Sequence, residues 1–226
     1  MTKVIFKINP KEEAKNIPDV LDLGGYGMLT SEAYKRFTWI TKKQLYKEVK
    51  KLHKKYNKKL EKSRKFSVAY WNRIEKDFVK TLESLTKIKL EKNKVFYFTP
   101  SLRNSIADVR RRKNAYLRAG YNERQLTFMI LHELIHLYYA DFLIKLNLKK
   151  ALVSPLVEGV DYILLFKSPL KTLLHPSVTY NKQPFIQKNP QFMAELEKLW
   201  KNRESFESFL KKAIKLNENT KGVIIC

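Results

Sequence analysis

The chain has 226 residues, 44% of them hydrophobic, enough for a substantial core in one large domain or two closely packed subdomains. Its 36 lysines and 10 arginines against 22 acidic residues give a formal charge of +24, which bears on partners and solubility rather than on fold. No stretch matches the run of about 18–20 apolar residues of a membrane span, because the most apolar segment, 126–148, carries His132, Glu133, His136, Asp141 and Lys145.

Residues 1–10 alternate apolar and polar side chains, which predicts a strand rather than a signal peptide. With one cysteine, Cys226, no internal disulfide forms, and the expectation is a cytoplasmic protein in a reducing compartment. Pro10, Pro18, Gly24, Gly25 and Gly27 predict a loop over 10–30. Thr30 or Ser31 then caps a long helix running towards Lys62. Between Lys42 and Lys65 it holds twelve basic residues against Glu48 and Glu61. Leu45, Val49, Leu52, Tyr56 and Leu60 recur every three or four residues, one buried stripe beneath a lysine-coated face. That face suits phosphates without sequence preference, whereas His53, amid the lysines, reads as a solvated residue.

Ser67 is placed as the cap of a helix from Val68 to Ile88, and Lys94–Thr99 (K-V-F-Y-F-T) is the clearest strand. Residues 105–119 are ambiguous, with a second strand over 115–119. Asn122 and Gln125 form a capping-box pattern that opens a helix to about Leu146. Ser154-Pro155 starts another helix to about Phe166. Residues 168–190, with four prolines, read as irregular, a last amphipathic helix covers 191–216, and 222–226 is a short apolar tail.

The chemistry concentrates in His132-Glu133-Leu134-Ile135-His136, an HExxH motif in a chain with four histidines. On a helix, positions i and i+4 share a face, so two imidazoles at this spacing can grip one Zn²⁺. Glu133 projects from nearly the same face, within reach of a water at the metal. Leu131, Leu134, Ile135 and Leu137 surround the triplet, and burying three such polar groups without a common partner is costly. A third protein ligand is needed, and Glu158, in the first turn of the next helix, is favoured over Asp161 one turn further on. Asp161 otherwise serves to accept an imidazole N–H, or makes an ordinary salt bridge.

HExxH followed by a glutamate on a second helix, here in Glu158-Gly159-Val160-Asp161, resembles the gluzincin clan of zinc metallopeptidases over about residues 94–166. The resemblance implies an α+β, predominantly helical zincin-like fold with a small sheet beside the HExxH helix. Residues 1–93 would add a strand and a basic helical region, and 94–226 the catalytic region, as one compact unit. It further implies one zinc per chain on His132, His136 and Glu158, with Glu133 as general base and Tyr180 or His175 donating to the oxyanion. The substrate would be a peptide or protein, bound extended along an edge strand within 106–119, where Arg110, Arg111, Arg112 and Arg118 would favour acidic sequences. Cys226 is also considered as a thiolate that reaches the zinc from the apolar tail. The competing expectation is a basic nucleic-acid or polyanion-binding protein with an incidental or structural HExxH, using the Lys42–Lys65 helix.

Overall fold

The computed structural model describes residues 4–22, 40–91, 93–100, 106–107, 112–148, 154–178 and 187–219. In chain order these form β1 (Val4–Lys7), α1 (Pro10–Asp22), α2 (Lys42–Lys55), α3 (Asn57–Thr86), β2 (Lys94–Thr99), β3 (Ile106–Ala107) and β4 (Asn114–Arg118). Then come α4 (Glu123–Lys145), α5 (Ser154–Phe166), a 3-10 turn (Pro169–Leu173), α6 (Pro190–Lys201) and α7 (Phe206–Asn219). The fold is α+β and mostly helical, and none of its described helices is long and apolar enough to cross a membrane.

Four strands make one sheet in the order β1-β2-β4-β3, with β1, β2 and β4 parallel and the short β3 antiparallel on an edge. Alternation along β2 turns Lys94, Phe96 and Phe98 to one buried face, where Phe6 of β1 stacks on Phe96 with ring centroids 5.3 Å apart. Tyr97 and Tyr116 stack at 5.6 Å on the other face. Because β1 pairs with β2, the sheet crosses the division drawn at residue 93, and a single core runs from Phe6 through Trp71 and Phe98 to Phe206.

α4 is buried on nearly every side from Leu126 to Leu143, as expected of a helix apolar all round. It packs on α3, α5, β3 and β4. A polar cluster pins it to the sheet. The Lys94 ammonium, buried at the start of β2, donates to Asp141 Oδ2 at 2.6 Å and to the Arg112 carbonyl at 2.6 Å. Arg112 reaches the other Asp141 oxygen at 3.2 Å, and Lys94 also lies over the Tyr138 ring.

Several local expectations are corrected. Residues 10–22 are helical rather than a loop, because Pro10 occupies the first helical position, where its missing N–H is not needed. The Asn9 carboxamide accepts from the Lys11 and Glu12 amides, capping that turn. The basic helix starts at Thr41, whose side chain forms a capping box with Gln44, and residues 23–39 lie outside the described part. Ser67 caps nothing; it sits inside α3 and donates to the Ser63 carbonyl, so its hydroxyl is satisfied within the helix. His53 is buried, not solvated, with Nε2 2.6 Å from Glu13 Oε2, which ties α2 to α1. The last helix is two, since Ser205 Oγ accepts from the Ser208 amide and starts α7 afresh.

Gly159 sets the distance between α5 and α6. A Cβ there would lie 2.7 Å from Leu196 Cδ2 and 3.2 Å from Phe192 Cε1, both buried. Gly159→Ala gains about 1 kcal/mol of helix propensity but incurs an overpacking cost of about 1–3 kcal/mol. A net loss of up to about 2 kcal/mol is expected in urea unfolding. A stabilised variant would show that Leu196 has room to turn aside.

Candidate metal centre

The helix that carries HExxH is placed by its ends. Gly120, at φ +96°, turns the chain out of β4 in a conformation that favours glycine. Asn122 and Gln125 then exchange side chain to backbone hydrogen bonds of 2.9 and 3.0 Å, closing the capping box. Two and a half turns on, His132 and His136 stand one above the other with ring centroids 4.2 Å apart. α5 packs across them and delivers Glu158 from its second turn.

The Glu158 carboxylate faces both rings, with Oε1 3.7 Å from His136 Nε2 and Oε2 3.9 Å from His132 Nε2. These separations are too long for hydrogen bonds. They are close to the roughly 3.3 Å between two N or O ligands that share a tetrahedral zinc. His136 Nε2 is buried and has no hydrogen-bond partner, although buried ring nitrogens are ordinarily satisfied. An orphaned lone pair facing a carboxylate is what a cation between them would resolve, so the residues fit a zinc ion.

Asp161 is fully buried behind this group, its Oδ2 2.7 Å from His132 Nδ1. That hydrogen bond keeps a proton on Nδ1 and turns Nε2 towards Glu158. His132, His136 and Asp161 also bring ligand atoms within 4.8 Å of one another. The 2.7 Å contact nevertheless has hydrogen-bond length, shorter than two ligands on one zinc reach, whereas Glu158 is the carboxylate that faces both Nε2 atoms.

Glu133 is 2% exposed, and its Oε2, 3.9 Å from His136 Nδ1, has no hydrogen-bond partner of its own. Burial pushes its carboxyl up to about 8, against the pull of His132 and a hydrogen bond from the Ala107 amide of β3. Burial likewise raises Asp161 to about 6. Burial by itself would lower His132, but the Asp161 and Glu158 carboxylates raise it to about 10. His136, buried and next to His132, lies well below its ordinary value. Three carboxylates around two imidazoles thus form a buried site that attracts positive charge.

His175 does not join them. It lines a cleft of about 430 Å³ with Tyr70, Arg73, Glu123 and Thr127. Thr127 and Glu123 precede His132 by five and nine residues, about 140° and 180° around the helix at 100° per residue. The His175 ring therefore lies on the far side of α4, where Nδ1 accepts from Ser177, and its expected oxyanion role is not supported. Tyr180, Arg110, Arg111 and the tail with Cys226 fall outside the described residues. Arg112 is committed to Asp141 rather than to a substrate groove. The sheet edge beside the motif is β3, while β4 lies between β2 and β3, which narrows the expected edge from 106–119 to 106–107.

The Ala107 amide is a contact that side-chain patterns do not signal, since any residue would provide it. Phe128 also escaped sequence reading. Its half-buried ring packs on His132 at 5.2 Å and Phe166 at 6.1 Å, walling one flank of the site. Its position four residues before His132 was the available signal. Compared with protein-family models, curated proteins and solved structures, the chain finds no match.

Proposed function

We propose that this protein is a zinc-dependent peptidase of the gluzincin type, with a zincin-like arrangement of α4, α5 and the β3 edge. The observation that carries the reading is the approach of Glu158 to the Nε2 atoms of both motif histidines, with His132 Nδ1 already held by Asp161. His132, His136 and Glu158 would hold the metal, which when bound supplies the Lewis acidity that activates water and polarises a carbonyl. Glu133 takes the proton from the attacking water and returns it to the leaving amine. Its burial and raised pKa suit a group that must both accept and release a proton near neutral pH. Asp161 holds the His132 tautomer throughout. An extended peptide can pair with β3, whose Ala107 amide already reaches the Glu133 carboxylate.

Metal content tests this directly, measured on protein purified without added zinc beside Glu158→Ala, His136→Ala and Asp161→Asn. About one zinc per chain is expected, lost in the first two variants and bound about 10–100-fold more weakly in the third. Complete loss in Asp161→Asn with retention in Glu158→Ala would exchange the two carboxylates. Absence of metal from the wild type, with every variant equally stable, would end the peptidase reading.

A further inference from the structure

We propose that the outward face of α2 and the first turns of α3 binds the phosphate backbone of double-stranded nucleic acid without reading its sequence. The two helices act as one rod there. Tyr56 between them donates its N–H to the Leu52 carbonyl at 2.9 Å and accepts from Leu60 at 3.0 Å, so the i to i−4 ladder passes through the junction. Leu45, Val49, Leu52 and His53 point inward and are buried. Opposite them, Lys43, Lys47, Lys50, Lys54, Lys58 and Lys65 are all exposed. At 100° per residue these six fall within a stripe about 80° wide, and at 1.5 Å per residue it is about 33 Å long.

The stripe carries a large excess of positive charge. Glu48 sits beside it in a pair with Lys51 at 2.8 Å, and Glu61, the one acidic residue within it, is engaged by Arg64 at 2.9 Å. No carboxylate among the described residues pairs with the six lysines. Instead Lys43–Lys47, Lys47–Lys50, Lys50–Lys54 and Lys54–Lys58 are like charges three or four residues apart, each pair destabilising the helix that carries it. A polyanion laid along the rod removes that repulsion and gains the entropy of counterion release.

Lysine point charges suit phosphate contact and not the forked recognition of guanine that arginine provides. A membrane surface fits less well. Interfacial helices bury an apolar face in lipid, and here that face is already buried inside the protein. The proposal does not depend on the metal centre, so metal-stripped protein should bind equally well.

The test is binding of the full chain to a labelled 30-base-pair duplex of arbitrary sequence at about 50 and 200 mM salt. Six phosphate contacts predict weakening of about 10³-fold over that range. A fourfold variant with Lys47, Lys50, Lys54 and Lys58 each changed to Glu is compared with one in which exposed Lys76, Lys80, Lys212 and Lys215 are changed to Glu. Net charge changes equally in both, and circular dichroism checks that both fold. The stripe variant should bind at least about 100-fold more weakly, with the control within about tenfold of wild type. Equal losses in the two variants would mean that net charge alone governs binding and would overturn the proposal, as would failure of the wild type to bind at 50 mM salt. Vesicles containing about 30% phosphatidylserine are run in parallel. If the stripe variant loses vesicle binding but keeps duplex binding, the face belongs to a membrane and the nucleic-acid assignment fails.

Discussion

Replacement of Glu133 by glutamine is expected to lower peptide hydrolysis by about 10²–10⁴-fold, the range typical of a lost general base, while zinc stays near one per chain. The substitution suits the site because it keeps the volume of a side chain that is 2% exposed. A glutamine carbonyl can still accept the hydrogen bond that the Ala107 amide gives the carboxylate. What disappears is the ability to take a proton. Metal content and turnover of a peptide library are therefore read on the same preparation. Zinc retained with turnover within about threefold of wild type would remove Glu133 from the mechanism. Zinc lost together with activity would instead make Glu133 part of what holds the metal.

Asp141→Ala is expected to lower stability by about 3–5 kcal/mol, because it strands a buried lysine ammonium without its counter-charge. In a chain of this size that corresponds to a fall in Tm of roughly 6–20 °C. Lys94 and Asp141 are each 2% exposed at the side chain and 2.6 Å apart, so water has little access to relieve the loss. Burial lowers the Lys94 pKa and raises that of Asp141, and their mutual attraction opposes both shifts. The diagnostic comparison is the double variant Lys94→Met with Asp141→Leu. Removing both charges should restore most of the lost stability, since the pair's contribution beyond well-packed apolar residues is small. A single Asp141→Ala variant within about 0.5 kcal/mol of wild type would show that Lys94 escapes to solvent or sheds its proton at little cost. The pair also has a positional role. Asp141 follows His136 by five residues on α4, so the sheet contact that orients the helix lies close to the site it carries.

Much of the fold was legible where one local interaction dominates. Lys94–Thr99 reads as a strand from its β-branched and aromatic run, stopped by Pro100, and the structure places β2 over those same residues. The Asn122/Gln125 capping box and the Ser154-Pro155 start were likewise readable, because they are settled within four residues. The failures share a cause. Pro10 reads as a breaker because whether proline ends or begins a helix depends on Asn9 capping the turn. His53 reads as solvated because its partner, Glu13, is 40 residues away in sequence. His175 reads as a site candidate because sequence distance does not reveal that it lines a cleft with Glu123 and Thr127, away from the motif face of α4.

By itself, the sequence determined that two histidines and a glutamate share one helical face, that this helix is apolar on all sides, and that a lysine-rich helix lies upstream. Each of these follows from the 3.6-residue period, which is a property of the local backbone. Only the tertiary structure decided which carboxylate of α5 meets the ring nitrogens and which holds a ring from behind. Glu158 and Asp161 differ by three residues and lie on the same side of their helix, so spacing cannot separate them. The packing of α5 on α4 does, setting Asp161 2.7 Å from His132 Nδ1 and Glu158 3.7–3.9 Å from the two Nε2 atoms. The same holds for Ala107 at Glu133 and Lys94 at Asp141. Those contacts join segments that come together only when the sheet and the helices bury their apolar faces against one another.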